Sequence, residues 1–367
     1  MGKIIFKHCF VMFLVDYNFF IFYNAIDCKD MSKKPVKTLD DIARLAKVSK
    51  STVSRALSDS PLLSSATKNR IQKIAREHHF SINASARNLR VRQSHTIAFI
   101  TPDEKAKFFS PESQFGFEIL GGIGNELRSL GYDLLIANVN PNDPASISSY
   151  FRSGRVDGFI LLTTHTNQSI IDTLIELGAP FIVWGVPMTG FDHCSVTGDN
   201  ITGGMLATQH LIQLGRQRIA FLGGLSDDLT VQHRYQGYET ALQADGRRVA
   251  AKRVIYGDYS YASGLDAMQR LLKQSPDLDA VFVNSDLMAI AAIKVILESG
   301  RRVPEDVAVV GYDDVSIAIY NNLPLTTIRQ NIPSAGSLLA QNLIHYIKTG
   351  EVTNVTTTVE LVIRKSA

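Results

Sequence analysis

A group of polar side chains in one short segment is suited to reading the edges of DNA bases. In a helix that begins behind Ser49, the side chains of Lys50, Ser51 and Arg55 lie on the exposed side. Arginine and lysine favour the O6 and N7 atoms of guanine, and serine bonds either to bases or to phosphates. Taken singly, Lys50 and Arg55 would more often be solvated helix charges, so their structural setting decides between the two interpretations.

That setting is a predicted helix-turn-helix. Thr38 is suited to cap a helix over 39–46, with two aspartates at its positive N-terminal end. A short turn follows, then a second helix over 50–57 and a third over about 65–79. Each helix has an inward apolar face, formed by Ile42, Leu45 and Ala46, by Val53, Ala56 and Leu57, and by Ile71, Ile74 and Ala75. Two short helices around a three-residue turn, closed by a third helix, form the DNA-binding unit of this type.

The charge distribution favours a polyanionic partner for this module. Residues 31–95 carry 14 Lys/Arg and 4 Asp/Glu, a net charge of +10. Residues 96–367 carry 21 Lys/Arg and 28 Asp/Glu, a net charge of −7, so the overall charge of +3 conceals a strong asymmetry. A solvated face is the commoner origin of a single charge run, but the helix-turn-helix setting favours nucleic acid.

The overall composition is that of an ordinary globular protein. The 367 residues are 45% hydrophobic and 20% charged, and this length suggests two or three domains. These values argue against a largely disordered chain, a collagen-like repeat and a polytopic membrane protein. Cys9, Cys28 and Cys194 are scattered, which argues against a disulfide scaffold and a cysteine-based zinc site and fits a reducing compartment.

Residues 1–30 contain an apolar stretch that has three interpretations. Asp16 lies near the middle of this stretch, and a charge there costs about 2.5–3.5 kcal/mol on membrane insertion. No small-residue cleavage site follows, and a polar sequence begins at Met31. We interpret residues 1–30 as an upstream extension outside the fold and expect a cytoplasmic protein. A membrane-tethered form and an exported form are the alternatives.

From residue 96 onward, short apolar runs alternate with helical stretches of about 10–15 residues. This repeated pattern predicts an α/β region of two parallel, doubly wound sheets, with a ligand crevice between two lobes at the carboxyl ends of the strands. The apolar runs lie at 96–100, 132–137, 157–162, 180–185, 218–223, 254–257, 280–284 and 307–311.

Sequence motifs of common enzymes are missing or misplaced. The run GGIG at 121–124 does not match G-x-G-x-x-G and lies inside a predicted helix, and LGG at 222–224 lacks the full fingerprint. The sequence contains no G-x-S-x-G, no phosphate-binding P-loop and no H-E-x-x-H. The histidines at 78–79 end a helix, and His193-Cys194 is predicted to lie in a loop; we interpret both pairs as surface residues. We therefore expect no catalytic site, no cofactor and no metal.

The string TLDDIARLAKVSKSTVSRAL at 38–57 resembles the N-terminal module of the LacI/GalR family of bacterial transcription regulators. The resemblance continues through NASARNLR at 83–90, which in that family folds into a hinge helix on DNA. It implies that Leu89 wedges into the minor groove, whereas spacing alone would favour a linker residue packed on the body. The implied DNA-contacting residues are Thr38, Leu39, Ser49, Lys50, Ser51, Thr52, Ser54, Arg55, Asn83, Ala86, Arg87 and Leu89.

Three positions depart from the family pattern. Lys47 stands in the turn where the family usually has glycine, and a left-handed residue there would cost about 1–2 kcal/mol. Ile82-Asn83 replaces Pro-Asn before the hinge, and Ser58 replaces the common asparagine after the second helix. The motif remains, but its turn geometry and operator preference are expected to differ.

The resemblance extends almost to Ala367 and includes periplasmic sugar-binding proteins of similar fold. It implies that Arg234 grips ligand hydroxyls or a carboxylate, that Asp313 holds a sugar and that Tyr259 stacks on the ligand ring. Planar hydrogen-bonding groups beside an aromatic face suit a sugar. The strings that carry this resemblance are VTGDNITGGMLATQHLIQLGRQRIAFLGG, RYQGYETAL, VNSDLMAIAAIKVI, VPEDVAVVGYDD and PLTTIRQN.

Four further residues are candidates for effector binding, each with an ordinary alternative. Asp199 and Asp286 precede or begin predicted helices, so capping of those helices is an equal alternative. Phe115 and Trp184 lie near the predicted crevice, and either could equally belong to the core.

Together these features predict four parts: an extension at 1–30, a helix-turn-helix domain at 36–82, a hinge helix and linker at 83–95, and an effector-binding and dimerisation domain at 96–367. We expect a ligand-responsive repressor of sugar-utilisation genes that acts as a homodimer, because one helix-turn-helix reads only half of a near-palindromic operator. The effector is expected to be a sugar. Release from DNA and tighter binding to DNA are both compatible with this fold. The rival functions are an exported sugar-binding protein and a membrane-tethered regulator.

Overall fold

The chain forms two compact units, residues 1–83 and residues 84–367, which we call the N-terminal unit and the C-terminal unit. Among the described residues, no helix is long and apolar enough to cross a membrane. The structure is a computed structural model, and it describes residues 36, 38–80, 93–101, 112–137, 139–140, 143–162, 168–187 and 193–367.

The described part of the N-terminal unit contains helices at Leu39–Ala46 (α1), Lys50–Leu57 (α2) and Ser65–Glu77 (α3). The predicted cap of α1 is confirmed. Thr38 Oγ1 accepts a hydrogen bond from the amide of Asp41, and the Asp41 carboxylate accepts one from the amide of Thr38. The bounds of α1 and α2 agree with the prediction, and α3 ends two residues earlier than predicted.

The predicted inward face of α1 needs one correction. Leu45 was predicted to face the core, but it is 46% exposed, whereas Ala43 is buried beside Ile42 and Ala46. The buried stripe is centred between residues 42 and 43, and at about 100° per residue Leu45 lies beyond its edge. The three helices therefore share a small core to which α2 contributes Val53 and Ala56 and α3 contributes Ile71 and Ala75.

The turn between α1 and α2 contains the left-handed residue whose energetic cost was considered above. Lys47 adopts a left-handed backbone with φ of 51° and ψ of 45°. Its amide donates to the carbonyl of Arg44 at 3.3 Å, which ends the first helix. Ser49 then caps α2 by accepting from the amide of Thr52 at 3.2 Å.

The C-terminal unit alternates strands with helices, as predicted. Its strands are Thr96–Ile100 (β1), Asp133–Ala137 (β2), Gly158–Leu162 (β3), Phe181–Trp184 (β4), Cys194–Gly198 (β5), Ile219–Gly223 (β6), Val254–Tyr256 (β7), Ala280–Val283 (β8), Ala308–Asp313 (β9), Thr326–Arg329 (β10), Asn354–Thr357 (β11) and Glu360–Val362 (β12). Its helices are Gln114–Ser129 (α4), Pro144–Arg152 (α5), Gln168–Glu176 (α6), Asn200–Gln213 (α7), Leu229–Ala244 (α8), Tyr261–Gln274 (α9), Asp286–Glu298 (α10), Ile317–Tyr320 (α11) and Ile332–Thr349 (α12).

In the part of the chain that the structure describes, the strands form two six-stranded sheets, each the centre of one lobe. The sheet of the first lobe has the order β11-β5-β4-β3-β1-β2, and that of the second lobe has the order β12-β10-β9-β8-β6-β7. The prediction of two doubly wound sheets is confirmed, and among the described strands one pair, β10 with β12, is antiparallel. The chain crosses between the lobes after β5, after β10 and between β11 and β12.

Four of the described strands were not predicted from the sequence, and one prediction near them was wrong. Strands β5, β10, β11 and β12 lie outside the predicted apolar runs. His193 and Cys194 were predicted to be surface residues of a loop, but Cys194 begins β5 and is fully buried, and His193, directly before the strand, is only 3% exposed. Alternate serine and threonine residues interrupt the apolar pattern of β5, and Ser195 bonds to Asn354 of β11 at 2.8 Å.

Glycines let helices approach closely in both lobes. A Cβ atom added at Gly122 of α4 would collide with the backbone of Pro333 in α12. The GGIG run is helical, as predicted, and its Gly122 serves helix packing. In the second lobe, a Cβ atom at Gly204 of α7 would collide with the carbonyl of Arg234 in α8. This close approach brings Arg234 next to the first turn of α7.

Candidate functional site

The exposed side of α2 carries the residues predicted to read DNA. Ser51 and Arg55 are exposed, and among the described residues the Arg55 guanidinium has no hydrogen-bond partner. Lys50 is also exposed but forms an ion pair with Asp40 of α1, with Nζ and Oδ2 at 2.8 Å. Arg55 is thus the α2 cation most ready to meet a base edge or a phosphate.

The other candidates on this unit divide by exposure and by hydrogen bonding. Ser49 uses its hydroxyl to cap α2, and Thr52 lies 2.8 Å from that hydroxyl, so both side chains help to begin the helix. Thr38 is exposed and takes part in the capping box, whereas Leu39 and Ser54 are half-buried. Four hinge candidates, Asn83, Ala86, Arg87 and Leu89, lie outside the described residues.

Arg234 is the centre of a buried polar cluster in the second lobe. It projects from α8 and is only 5% exposed. Its Nε donates to Oδ1 of Asn200 at 2.9 Å, and its Nη1 donates to the carbonyl of Asn284 at 2.6 Å. The guanidinium carbon lies 3.6 Å from the centroid of the Tyr312 ring, a cation–π contact. These contacts fix the orientation of the guanidinium before any ligand arrives.

Asp313 faces this arginine across 4.0 Å, measured from Nη2 of Arg234 to Oδ1 of Asp313. Gln330 donates to the same carboxylate oxygen at 2.6 Å. Burial raises the pKa of Asp313 to about 6, although the charge of Arg234 and the bond from Gln330 oppose the rise. The backbone of Asp313 is left-handed, with φ of 113°. Strain of this kind is concentrated at functional positions.

Tyr259 lies at the edge of this cluster and presents an aromatic ring. Its hydroxyl donates to Oδ2 of Asp228 at 3.4 Å and accepts from Nδ2 of Asn284 at 3.3 Å. One face of the ring covers Gly224, where any side chain would collide with it. These contacts hold the ring in a fixed orientation, as stacking against a ligand ring would require.

Asp199 caps a helix, as its alternative interpretation predicted. Its carboxylate accepts from the amide of Thr202 at 3.0 Å and from the Thr202 hydroxyl at 2.7 Å, at the start of α7. The cap explains this residue without a ligand.

Asp286 is fully buried, and the cap of its helix is Ser285 instead. One Asp286 oxygen accepts from the hydroxyl of Thr327, and the other accepts from the amide of Val315 at 2.9 Å. Burial, followed by the charge of Asp313, raises the pKa of Asp286 well above its usual range. Its oxygens are engaged inside the lobe, so Asp286 acts on the segment that carries Asp313.

Phe115 and Trp184 come together in the first lobe. Their ring centroids are 6.1 Å apart, with an angle of 45° between the planes. Both side chains are half-buried and pack against an apolar cluster of that lobe. The pair is therefore part core and part surface, in line with both interpretations of these residues.

The cluster lies where the topology predicts a ligand. Trp184 ends β4, Asp313 ends β9, and Asn284 and Gln330 directly follow β8 and β10. Ligands of open parallel sheets bind at the carboxyl ends of the strands. The arrangement can bind a polar ligand, with a fixed cation, a carboxylate and an aromatic face.

Comparison with known proteins identifies the family. The sequence profile of "Bacterial regulatory proteins, lacI family" matches residues 38–83, and that of "Periplasmic binding protein-like domain" matches residues 208–367. The HTH-type transcriptional regulator CelR of Thermobifida fusca is 38% identical over 327 residues, which cover 88% of this chain and 95% of CelR. The chain belongs to the lacI family. It is a transcriptional regulator of that family, as its sequence predicted.

Further members of the lacI family match over most of the chain. The ribose operon repressor of Escherichia coli K12 is 32% identical over 84% of this chain and 93% of the repressor. The solved complex of CelR with cellobiose superposes with a TM-score of 0.70 at 35% identity, covering 90% of this chain and all of that chain. The lac repressor dimer bound to operator and the anti-inducer ONPF gives a TM-score of 0.79 at 27% identity, over 91% and 99% of the two chains.

The site of this lacI-family chain contains polar residues that were not predicted from the sequence. Asn200 and Asn284 hold Arg234, and Gln330 holds Asp313. Each of these amides directly follows a strand or begins the helix after it. An amide directly after a strand would have been a useful signal, but it is too common in loops to stand out without the fold.

Proposed function

We propose that this chain is a cytoplasmic, homodimeric repressor whose affinity for a near-palindromic operator is controlled by a sugar. The observation that carries the proposal is the buried pair of Arg234 and Asp313 at the carboxyl ends of the strands, in a chain that also has a helix-turn-helix. Charged groups are buried in this way at a cost that a polar ligand can offset. The proposed role is regulatory, without catalysis.

Unpaired polar atoms around the pair support a ligand rich in hydroxyl groups. Within the described part of the chain, Oδ1 of Asn284 and Oε1 of Gln330 are buried without a hydrogen-bond partner. Amide oxygens can only accept hydrogen bonds, so the missing partners of these two are donors. Sugar hydroxyls supply donors and acceptors together, and the Tyr259 ring offers a stacking face.

The relatives suggest which sugars to test first. One CelR structure is a complex with cellobiose, and another relative is a repressor of a ribose operon. Cellobiose and ribose are therefore the first probes for this chain, with cellobiose favoured because CelR has the higher identity.

DNA recognition is proposed to use α2 together with the hinge. Arg55, Lys50 and Ser51 would meet base edges or phosphates from the exposed side of α2. Asn83, Ala86, Arg87 and Leu89 in the proposed hinge, residues 83–95, would meet the minor groove. Residues 96–367 would bind the effector and pair two chains, so that two copies of α2 reach both half-sites.

The test combines a ligand screen with an operator assay. A thermal-shift screen of the full chain with cellobiose, ribose, glucose and purine bases is expected to give a concentration-dependent rise with a sugar, because a ligand that binds only the folded state stabilises it. DNA selected from a random pool is then titrated by fluorescence anisotropy, with and without that sugar. A palindromic consensus and a sugar-dependent affinity are expected. Stabilisation by a purine base alone, or DNA binding without sequence preference, would contradict the proposal.

The proposed cytoplasmic location has a separate test. If residues 1–30 lie outside the working protein, mass spectrometry of the protein from its native host should find an N-terminus at Met31. Cleavage just before Met31 with export, or retention of Met1 with membrane association, would instead support the exported or the tethered form.

A further inference from the structure

The tetrapeptide at 313–316 is held by charged or polar side chains at every residue. Asp313 contacts Arg234 and Gln330, as described above. Asp314 is buried between two arginines, with Oδ2 at 2.6 Å from Nε of Arg329 and Oδ1 at 2.5 Å from Nη2 of Arg364. Asp313 and Asp314 both have positive φ, of 113° and 59°. Such a backbone persists only where the surroundings fix it.

The second half of the tetrapeptide leads into the first lobe. Val315 donates its amide to Asp286 of the second lobe, but its side chain is buried in the apolar cluster that includes Phe115 and Trp184 of the first lobe. Ser316 donates both its amide and its hydroxyl to Oε1 of Glu118, each at 2.8 Å. Glu118 belongs to α4 of the first lobe, so this carboxylate joins the two lobes.

Glu118 therefore holds Ser316, which lies three residues after the ligand-facing Asp313 along a short, constrained backbone. Its negative charge is also close enough to Asp313 to contribute to the raised pKa of that carboxyl, after the larger effect of burial. A second acidic residue, Glu112, approaches the amide of Tyr261 in the second lobe at 3.4 Å. That contact is longer and involves one donor, so the contact of Glu118 with Ser316 is the stronger of the two.

We propose that Glu118 is a positioning residue of the effector site. By holding Ser316 from the opposite lobe, it fixes the tetrapeptide whose first residue, Asp313, faces the ligand. Closure of the lobes and the placement of Asp313 thus depend on one another. The inference rests on the proposed function for the identity of the ligand site, but the contact itself exists without a ligand.

Hydrogen exchange of the full, ligand-free chain tests the contact directly. Substitution of Glu118 by alanine is expected to speed exchange of the Ser316 amide about fivefold, because a hydrogen bond to a charged acceptor at a partly exposed site is lost. Glu118→Gln, which keeps an acceptor oxygen, is expected to restore most of the protection. Glu126→Ala, on the same helix, is the matched control and should leave this amide unchanged.

A crossed control separates this effect from general loosening of the lobes. Glu112→Ala is expected to speed exchange at Tyr261 and to leave Ser316 unchanged. Equal acceleration of both amides by Glu118→Ala and by Glu112→Ala, or no acceleration at Ser316 by Glu118→Ala, would overturn the proposal.

Binding of cellobiose, as the probe sugar, gives the functional readout. Calorimetry should show affinity about fivefold weaker for Glu118→Ala, about twofold weaker for Glu118→Gln and unchanged for Glu126→Ala. Unchanged binding in Glu118→Ala, with binding by the wild type intact, would overturn the positioning role. If the wild type binds no cellobiose, the choice of sugar fails, and the exchange experiment still decides the role of Glu118.

Discussion

Arg55 in the N-terminal unit and Arg234 in the C-terminal unit have opposite environments. Arg55 is exposed on α2, and among the described residues its guanidinium has no hydrogen-bond partner. Arg234 is 5% exposed and is held by Asn200, Asn284 and the Tyr312 ring. An exposed arginine contributes little to folding, and its hydrogen-bond donors remain available to another molecule. A buried one is oriented during folding, so that its ligand does not have to order it.

The largest expected effect is that of removing Arg234 on the stability of the fold. Arg234→Ala removes the cation beside buried Asp313 and should lower the free energy of unfolding of the C-terminal unit by about 3–5 kcal/mol. Urea unfolding monitored by circular dichroism measures it. Arg55→Ala is the matched control and should change the same free energy by no more than about 0.5 kcal/mol. Similar losses in both variants would show that the environments of the two arginines do not matter as described.

Arg55 is expected to affect DNA binding instead of stability. Arg55→Ala should weaken binding to the selected operator by about 1–3 kcal/mol while leaving binding to random DNA much less affected, because a base contact carries specificity. Fluorescence anisotropy with both DNAs measures the two affinities. Equal losses on operator and random DNA would show that Arg55 contacts a phosphate instead.

The next effect depends on pH and involves the partner of Arg234. Burial raises the pKa of Asp313 to about 6, so the carboxylate becomes protonated as the pH falls through that value. A sugar hydroxyl donates to the ionised form, and effector affinity should therefore fall about tenfold between pH 7 and pH 5. Calorimetry over this range measures it. Asp313→Asn should bind the sugar more weakly at pH 7 and show a flat profile; an unchanged slope in that variant would assign the titration to another group.

The raised pKa of Asp313 also makes the stability of the fold depend on pH, but here low pH is favourable. Because the folded pKa lies above the ordinary value of 3.8, the folded state binds this proton more tightly than the unfolded state does. The contribution of Asp313 is thus most favourable at low pH, and stability decreases as the pH rises from about 4 to 6. Between pH 4 and pH 6, the urea midpoint of the wild type should fall more steeply with rising pH than that of Asp313→Asn, which lacks this titrating group.

The smallest effect lies in the turn that positions Arg55. Lys47 has a left-handed backbone, with φ of 51°, so Lys47→Gly should stabilise the N-terminal unit by about 0.5–1 kcal/mol despite the greater freedom of glycine in the unfolded chain. Thermal unfolding measures the change, and Lys50→Gly at the first residue of α2 should have the opposite sign, because it places glycine in a helix and removes the ion pair with Asp40. Destabilisation by Lys47→Gly would show that the lysine side chain has a structural role of its own.

The two units also differ in how much of them the sequence predicts. In the N-terminal unit, caps at Thr38 and Ser49 mark the starts of α1 and α2, and the two helices have their predicted bounds. These signals are local, so a single sequence contains them. The error at Leu45 arose because an eight-residue helix with several apolar residues allows more than one inward stripe.

The C-terminal unit was predicted where its strands are apolar and missed where they are not. The eight predicted runs correspond to strands whose ends differ by at most two residues. Strand β5 is entirely buried but contains Ser195 and Thr197, and β11 and β12 are short and partly exposed. The three lobe crossings adjoin these missed strands. The contacts of Arg234 with Asn200 and Asn284 join distant parts of the chain, and only the folded topology brings them together.

One measurement tests most directly whether the Arg234 cluster is the switch that controls operator binding. Operator affinity is measured with and without a saturating amount of the sugar that gives the largest thermal shift, for the wild type and for Arg234→Lys. The lysine variant keeps the buried charge but loses the planar set of donors. The sugar is expected to change the operator affinity of the wild type by about 5- to 150-fold. Arg234→Lys should bind the operator normally without sugar and respond little or not at all. A full response of Arg234→Lys at the same sugar concentration would show that the effector binds elsewhere and that the Arg234 cluster is not the switch.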